Sequence, residues 1–219
     1  MIISTVGRSS LSRLEKQIIL YHLNNGGILA FSTDTLYGIG VKAVLSQAVD
    51  QLYKVKNREK GKPLILLGST VAQFQPYISE PKLLQHPLIN AYWPGPLTVV
   101  LPFEKSSQLF FGQDDPDSIG MRVPDDKILL DLFTFLDFPL LTTSANPSGS
   151  SPFREGHSIQ SWLLSLSIQE LIVLDGGEME ALPSTVIQLF GNDRYKMIRE
   201  GIISTEELAP FFQVKKKGD

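Results

Sequence analysis

Hydrophobic residues recur along the chain at two spacings, one typical of helices and one typical of short buried strands. Residues 10–24 carry them at helical spacing, with Ser10 as a candidate N-cap and Gly26 and Gly27 as a stop signal. The apolar run Ile28–Phe31 that follows predicts a strand. Further helices are predicted at 47–56, 70–78, 82–92, 125–136 and 159–166, and further strands at 64–67, 97–102, 118–123, 139–142, 171–174, 185–190 and 196–199. Because strands and helices interleave, and less helix separates the later strands, we expect an α/β fold with a twisted mixed sheet flanked by helices.

The size and hydrophobic content of the chain fit one globular domain. Its 219 residues, 42% of them hydrophobic, can bury a core without disulfides or metals. We assign residues 1–207 to a single domain and 208–219 to a short basic tail. The sequence shows no apolar run of the ~18–20 residues that span a bilayer, and residues 1–8 lack the pattern of a signal peptide. We therefore expect a cytoplasmic protein without membrane contact.

Cysteine is absent and histidine is scarce. The absence of cysteine excludes disulfides, cysteine-zinc sites and thiol nucleophiles. The histidines, His22, His86 and His157, are widely separated in the sequence, and their spacing indicates no metal cluster. We therefore predict no metal-ligating residues.

Positive charge is concentrated in one segment, although the net charge of the chain is −3. The basic residues of this segment are Lys54, Lys56, Arg58, Lys60 and Lys62, and Glu59 is its one acid. Such a cluster can bind phosphates, with arginine as a bidentate fork and lysine as a point charge. The alternative is a solvated helix C-terminus, where cations complement the helix dipole. The segment does not match a Walker A or a dinucleotide-binding loop.

Polar residues crowd the ends of two predicted strands. Ser32–Gly40 places hydroxyls, a carboxylate and two glycines after the first strand. Thr142–Gly149 places hydroxyls and an amide after the strand at 139–142. Ligand sites of open α/β sheets gather outside strand ends, so both segments are candidate site loops. Solvated loops or Asx and Ser turns are the alternative, and Ser144 lacks the G-x-S-x-G elbow of a hydrolase nucleophile.

Four further features complete the candidate set. Trp93–Thr98 contains two prolines and a glycine, a pattern that favours a rigid structural turn into the next strand. Arg122 lies in a predicted strand, where an inward-facing arginine needs an anionic partner. Ser184 precedes a strand and Arg199 ends one, and each taken alone is more typical of a structural role.

Together and in this order, the segments resemble the threonylcarbamoyl-AMP synthase family, also called YrdC-like, over about residues 10–205. The matches are Ser32–Gly40 to P-T-[DE]-T-x-Y-G-[LI]-G with serine in place of proline, Lys56–Arg58 to K-x-R, Trp93–Thr98 to W-P-G-P-L-T, Arg122–Pro124 to R-x-P, Ser144–Gly149 to S-x-N-x-S-G, Ser184–Val186 to S-T-[VI] and Arg199–Gly201 to R-x-G. One such motif is weak, whereas the whole ordered set is specific.

The resemblance implies a single catalytic domain with a basic concave cavity, the short type of the family. It implies a nucleotidyltransferase that uses L-threonine, bicarbonate or CO2 and ATP, with Mg²⁺ accompanying ATP. The implied products are threonylcarbamoyl-AMP and pyrophosphate. Other proteins then transfer the threonylcarbamoyl group to adenosine 37 of tRNA. The implied partners are these transfer proteins, with tRNA or double-stranded RNA as a further candidate.

The resemblance also implies roles for individual residues. The implied catalytic residues are Lys56, Arg58, Ser144 and Asn146. The residues implied to bind ATP are Lys54, Lys56, Arg58, Lys62, Ser118, Asn146 and Arg199. The residues implied to bind L-threonine are Thr35, Arg122, Ser144 and Ser184, with Arg122 on its carboxylate.

Two departures from the family pattern and two alternative functions stay open. Ser32 replaces a proline that rigidifies its loop, and Leu67 stands where some longer members have a histidine near threonine. One alternative is a binding module for double-stranded RNA or tRNA that lacks synthase activity. The other is a related adenylating enzyme that acts on a different carbamate, as in hydrogenase maturation. The absence of cysteine disfavours that second alternative, because the zinc-finger region of that system needs cysteines.

Overall fold

A computed structural model of the chain describes residues 1–57, 64–109, 116–180, 182–191 and 194–212. Within these ranges one sheet contains the strands β1 (Ile2–Ser4), β2 (Ile28–Phe31), β3 (Gly38–Lys42), β4 (Ile65–Leu67), β5 (Leu97–Pro102), β6 (Ser118–Arg122), β7 (Leu140–Ser144), β8 (Leu171–Asp175), β9 (Thr185–Phe190) and β10 (Arg194–Arg199). The α-helices are α1 (Arg13–Asn24), α2 (Ser46–Val55), α3 (Pro87–Tyr92), α4 (Lys127–Leu136), α5 (Gly156–Ser165) and α6 (Thr205–Leu208). In the part of the chain that the structure describes, none of the helices has the length and apolar character needed to cross a membrane.

The sheet is mixed. Its strand order is β1-β8-β2-β3-β7-β4-β6-β5-β9-β10. The pairs β1–β8, β8–β2, β4–β6 and β5–β9 are parallel, and the other neighbouring pairs are antiparallel. The predicted α/β fold with a mixed sheet flanked by helices is therefore confirmed.

One face of the sheet, which we call the first face, is buried under helices over most of its width. Apolar side chains from α2, α3, α5 and α6 pack there against every strand from β2 to β9. Because side chains alternate along a strand, each strand gives about half of its residues to this core. In β5, for example, Leu97, Val99 and Leu101 belong to it.

The opposite face, the second face, is covered over only part of its width. Helices α1 and α4 form a smaller core there with β1, β2, β4, β7 and β8, and Ile19 and Phe133 are fully buried in it. The described residues of β5, β6, β9 and β10 contribute nothing to this core. We call the part beneath α1 and α4 the covered half, and the part formed by β5, β6, β9 and β10 the uncovered half.

The two helices of the covered half begin at side-chain caps. Helix α1 begins later than predicted because Ser12, not Ser10, is its N-cap. Ser12 Oγ accepts a hydrogen bond from Glu15 N at 3.2 Å, and Glu15 Oε2 accepts one from Ser12 N at 2.7 Å. This capping box satisfies two backbone N–H groups at once. Asp126 caps α4 in a similar way, accepting from Leu129 N at 2.9 Å.

The helices predicted at 70–78 and 82–92 are the main error in the sequence-based elements. The chain instead forms 3₁₀ helices at Val71–Tyr77 and Pro81–Gln85, followed by the short α3. Prolines within and between these segments, such as Pro76, lack a backbone N–H and interrupt the α-helical hydrogen-bond pattern. Hydrophobic spacing alone does not register this interruption.

The sequence pattern also misses the strands β1 and β3. Strand β3 begins inside the predicted loop Ser32–Gly40, where two glycines suggest a turn. Their role is close packing instead, because Phe31 lies against both. A Cβ on Gly38 would lie 2.9 Å from the Phe31 ring, and a Cβ on Gly40 would lie 2.8 Å from Thr142 Cγ2.

The packed structure continues past the predicted domain boundary at residue 207. Leu208 and Phe212 are buried in the first-face core. The ring of Phe212 stacks on Tyr195 at 4.2 Å and on His86 at 5.3 Å between ring centroids. Residues 213–219 of the predicted basic tail lie outside the described residues.

Candidate active site

A cavity of about 410 Å³ lies on the second face, over the uncovered half and the adjoining residues of β3, β4 and β7. Strand alternation builds its floor. In β6, Ile119 and Met121 point into the first-face core. The intervening residues Ser118, Gly120 and Arg122 therefore face the cavity. The remaining lining residues are Thr33, Thr35–Gly38, Leu64, Ile65, Leu67, Thr98, Val100, Thr142–Ser144, Ser184, Val186, Gln188, Ile198 and Arg199.

Arg122 is the central charged group of the cavity wall and is only 4% exposed. Each nitrogen of its guanidinium donates one hydrogen bond within the protein. Nε donates to Gly95 O at 2.9 Å, Nη1 to Thr35 Oγ1 at 2.6 Å and Nη2 to Asp34 Oδ1. The anionic partner predicted for this arginine is therefore Asp34. Because Nη1 and Nη2 carry two hydrogens each, one N–H of each has no partner among the described residues and is available to a ligand.

The loop between β2 and β3 is a folded part of the cavity wall, not a solvated connection. Thr33 Oγ1 accepts hydrogen bonds from Thr35 N at 3.0 Å and Leu36 N at 3.1 Å, and it donates to Leu36 O at 2.7 Å. Thr33 and Thr35 are both buried. This hydroxyl-centred turn holds the Thr35 hydroxyl and the Asp34 carboxylate against Arg122.

The turn at Trp93–Thr98 supports the same arginine from the other side. Trp93 Nε1 donates to Leu97 O at 2.7 Å, and Gly95 N donates to Val123 O at 2.8 Å. A Cβ on Gly95 would lie 2.7 Å from Tyr92 O, so the tight turn requires glycine. The turn has the structural role predicted for it, and it also helps to orient Arg122, because Gly95 O is one of the three acceptors that bind the guanidinium.

Arg199 lies on the β10 side of the cavity. Its Nη2 donates to Ser184 O at 2.8 Å, and Ser184 Oγ lies 3.0 Å from Thr98 Oγ1. The strand register shifts between Met197 and Arg199. Such a bulge adds a residue and redirects side chains, and Ile198 and Arg199 both line the cavity as a result.

A second polar cluster lies beside the end of β7. Lys56 is 3% exposed, and its Nζ donates to Ser144 O and to Asn146 Oδ1, both at 2.7 Å. Ser144 Oγ also donates to Asn146 Oδ1, at 2.6 Å. Asn146 Nδ2 in turn donates to Ser150 O at 2.6 Å. The buried ammonium group therefore fixes the loop that follows β7, and with it the Ser144 hydroxyl at the cavity.

Two guanidinium groups, those of Arg122 and Arg199, line the cavity, and the Asp34 carboxylate lies behind Arg122 without lining it. Burial lowers the pKa of Arg122, the adjacent Asp34 opposes this, and the like charge of Arg199 lowers it further. Burial also lowers the pKa of Arg199. Both groups keep their charge at neutral pH, because a guanidinium does not lose its proton in proteins. The wall therefore carries a net positive charge and suits an anionic ligand.

The structure brings together most of the predicted site residues that it describes. Those that line the cavity are Thr35, Ser118, Arg122, Ser144, Ser184 and Arg199. Lys56 and Asn146 are hydrogen-bonded to Ser144 and lie behind it, whereas Lys54 is exposed on α2 and does not line the cavity. Arg58 and Lys62 lie outside the described residues. The individual roles implied for these residues remain predictions.

Sequence reasoning missed part of the cavity floor. Gly120 and Gln188 line it but lie in predicted strands outside the motifs, and Thr98 lies in the Trp93–Thr98 segment, for which the sequence favoured a structural role. A Cβ on Gly120 would lie 2.8 Å from Ile65 Cγ2, so the absence of a side chain here leaves space at the floor of the cavity. The available signal was that small or polar residues alternate with apolar ones along these strands, as Ser118, Gly120 and Arg122 do in β6. This signal points to a shared cavity only once the order of the strands is known.

No three or more His, Asp and Glu side chains among the described residues are grouped so as to hold a metal ion. The Asp34 carboxylate, which lies beside the cavity, is paired with Arg122. That the protein supplies no metal ligands stays a prediction.

Fold and site together define a mixed α/β protein with an arginine-lined cavity on one face of its sheet. Residues 22–201 match the sequence model of the Sua5/YciO/YrdC family, which carries the description "Telomere recombination". The chain belongs to this family. The relationship predicted from the ordered motifs is therefore confirmed.

Curated relatives align with most of the chain. A Methanocaldococcus jannaschii protein named "Putative threonylcarbamoyl-AMP synthase" is 34% identical over 200 residues, which cover 91% of this chain and 89% of that protein. The threonylcarbamoyl-AMP synthase of Serratia proteamaculans is 35% identical over 145 residues, which cover 65% of this chain and 76% of that protein.

Solved structures show the same architecture. P. abyssi Sua5 complexed with L-threonine is 29% identical with a TM-score of 0.82, and the match covers 96% of this chain. The chain spans only 60% of that Sua5 chain. E. coli YciO is 25% identical with a TM-score of 0.78, and the match covers 97% of this chain and 98% of that one.

Proposed function

We propose that the protein is an L-threonylcarbamoyladenylate synthase. It forms threonylcarbamoyl-AMP and pyrophosphate from L-threonine, bicarbonate or CO2 and ATP, which makes it a nucleotidyltransferase. The product supplies the threonylcarbamoyl group for adenosine 37 of tRNA, and other proteins carry out the transfer. The observation that carries the proposal is the buried Arg122, fixed at the cavity wall with N–H groups available to an anionic ligand. The names of the relatives and the L-threonine complex of P. abyssi Sua5 support it.

The amino-acid substrate binds at the Arg122 end of the cavity. The two remaining N–H groups of Arg122 bind its carboxylate through charge-assisted hydrogen bonds. The hydroxyls of Thr35, Ser144 and Ser184 line the same cavity and can bind the ammonium and hydroxyl groups of L-threonine. Apolar contact with the substrate methyl group is available from Leu67.

The chemistry needs positioning more than covalent help. The amine of L-threonine adds to CO2 and releases a proton, or it condenses with bicarbonate and releases water, and either route gives a carbamate. A carbamate oxygen then attacks the α-phosphorus of ATP, and pyrophosphate leaves. Holding both reactants in line supplies much of the rate enhancement in such phosphoryl chemistry. We assign the holding of the reacting groups to Ser144 and Arg199, since both line the cavity and Ser144 is fixed by Lys56 and Asn146.

We propose that Mg²⁺ enters with ATP as part of the nucleotide substrate. Magnesium is usually held by phosphate oxygens and water with few protein ligands, and it neutralises phosphate charge. The polar side chains that line the cavity in the described residues support this, since they are arginines, hydroxyls and the Gln188 amide, and the nearby Asp34 carboxylate is paired with Arg122. The cations of segment 54–62 remain the predicted partners of the triphosphate.

Pyrophosphate release from Mg·ATP by the purified chain tests the proposal. Release should require both L-threonine and bicarbonate. It should fall by roughly 100-fold or more in Lys56→Met, which removes the buried cation behind Ser144, and in Arg58→Ala. Lys42→Met is the matched control, because Lys42 bonds to Asn24 away from the cavity and its loss should leave the rate unchanged.

The outcomes separate the proposal from its alternatives. If pyrophosphate release depends on another amine, the proposed reaction type stands but the amino-acid substrate is not L-threonine. No release, together with salt-sensitive binding of tRNA, would exclude the synthase and leave the RNA-binding module.

A further inference from the structure

Asp34 is a charged residue at the site to which neither the motifs nor the proposed function gives a role. Its carboxylate pairs with Arg122 Nη2, and the side chains of the two residues are 15% and 4% exposed. Asp34 does not line the cavity. It therefore acts on a cavity ligand through Arg122, and not by direct contact.

Arg122 does not need Asp34 to hold its orientation. Gly95 O fixes Nε at 2.9 Å and Thr35 Oγ1 fixes Nη1 at 2.6 Å. Together with the covalent attachment at Cδ, these two hydrogen bonds fix the plane of the rigid guanidinium, and both of the acceptors are uncharged. What Asp34 adds is a negative charge that offsets the cost of burying the guanidinium.

A carboxylate ligand on Arg122 must share the guanidinium with Asp34. Two carboxylates that bind one guanidinium lie within roughly 5–7 Å of each other, given ordinary hydrogen-bond lengths. At that distance, in a site largely removed from water, their repulsion is substantial. Asp34 therefore stabilises the ligand-free protein and lowers its affinity for an anion.

We propose that Asp34 is a resident counter-carboxylate of Arg122 that competes with the carboxylate of the amino-acid substrate and so lowers its affinity. The proposal rests on the proposed function for the identity of that substrate. Asp34 is a positioning and charge-balancing residue, not a catalytic one. Its competition keeps the substrate from being bound too tightly before the reaction, because only binding that is stronger in the transition state increases kcat.

The test compares L-threonine binding and thermal stability in the wild-type chain and Asp34→Asn. Asparagine keeps an acceptor for Nη2 and removes the charge. We expect a melting temperature lower by at least ~6 °C, because a buried charge loses its partner. We expect the Kd for L-threonine, measured by calorimetry, to fall about tenfold, because the ligand then supplies the only charge opposite Arg122.

The opposite signs of the two effects distinguish the proposal from a merely structural role. If Asp34 only shaped the wall, its loss would lower stability and weaken binding or leave it unchanged, and that result overturns the proposal. Asp137→Asn is the matched control, since exposed Asp137 ends α4 in the left-handed region at φ 58°, which asparagine also adopts readily. It should change neither quantity appreciably.

A double variant tests the role of Asp34 even if Asp34→Asn does not fold or the wild type does not bind L-threonine. Failure of the wild type to bind counts against the proposed function alone. Asp34→Asn/Arg122→Gln removes both charges, so it should be more stable than Asp34→Asn if charge balance is the role of Asp34. A double variant that is no more stable than the single one overturns the proposal.

Discussion

The covered and uncovered halves of the second face share one strand geometry and carry opposite chemistry. In the covered half the outward positions of β2 are Leu29 and Phe31, packed beneath α1 and α4. In the uncovered half the equivalent positions of β6 are Gly120 and Arg122, which line the cavity. In both halves, the alternation of side chains along each strand determines which residues point away from the first-face core. Whether those residues form a second core or a binding site depends on whether a helix lies above them.

The difference also separates stability from binding. Burying apolar side chains beneath a helix contributes roughly 1.5–3 kcal/mol for each large residue. Leaving four strands open on one face forgoes that gain and places an arginine and hydroxyls there instead. Such sites are maintained by the stability of the rest of the fold, so changes in the two halves should have separable effects.

Phe133→Ala in α4 should give the largest effect on stability. Phe133 is fully buried in the covered half, and truncation of such a residue costs ~3–5 kcal/mol. Urea unfolding should show this loss, while the rate of pyrophosphate release per folded molecule stays close to the wild-type rate.

Phe190→Ala provides the matched control for this change. Phe190 lies on β9 and is 42% exposed, so its truncation should change the free energy of unfolding by less than ~1 kcal/mol. Equal losses in the two variants would contradict the division into a stabilising half and a binding half.

Among the variants that compare the two halves, Arg122→Lys should have the largest effect on activity. Lysine keeps the positive charge and can still pair with Asp34, but it cannot donate to Gly95, Thr35 and a ligand from one planar fork. L-threonine-dependent pyrophosphate release should fall by about 100-fold, or ~2.7 kcal/mol in transition-state binding. The KM for L-threonine should rise more than the KM for ATP. Arg13→Lys, at an exposed position of α1, should retain full activity.

Much of the fold was predictable because most strands are short apolar runs with clear boundaries. Strands Ile28–Phe31 and Leu97–Pro102 have the same bounds as the predicted strands. The errors occurred where local composition conflicts with tertiary packing. Gly38 and Gly40 resemble a turn, but they form a strand because the Phe31 ring occupies the space of their side chains. Strand order could not be predicted, since neighbours such as β7 and β4 are far apart in sequence.

The candidate site was partly predictable because its loops carry motifs, whereas its floor carries only single residues. Thr35, Arg122 and Ser144 lie in motifs and line the cavity together. Gln188 and Gly120 do so only through strand register, which places both opposite Val100 on either side of β5. The pairing of Arg122 with Asp34 also required the fold, because 88 residues separate the two in the sequence.

Leu67→Val tests the boundary between the halves. Leu67 belongs to the covered core and also lines the cavity, so it should affect both properties modestly. Removing one methylene should cost ~1 kcal/mol of unfolding free energy and raise the KM for L-threonine by no more than about tenfold. Leu66→Val on the same strand faces the first-face core and should affect stability alone. A KM change in Leu66→Val equal to that in Leu67→Val would contradict the assignment of the two faces.

Glu15→Gln should give the smallest effect, because it changes an exposed pair at the outer end of the covered half. The pKa of Glu15 is lowered from its ordinary value to about 2, chiefly by the hydrogen bond from Arg8 and also by the bonds from Ser12. A carboxyl whose pKa is lower in the folded chain than its ordinary 4.5 stabilises the fold above pH 4.5, and this contribution disappears as the pH falls towards 2. Glutamine keeps the capping box and removes only the charge. We therefore expect the free energy of unfolding at pH 7 to fall by ~0.2–1 kcal/mol, a value already reduced by solvent screening.

Urea unfolding at pH 7 and pH 2.5 should show that the difference in unfolding free energy between wild type and Glu15→Gln is smaller at the lower pH. L-threonine-dependent activity at pH 7 should be unchanged. A difference that persists at pH 2.5 would mean that the helix cap, and not the ion pair, is the source of the stabilisation.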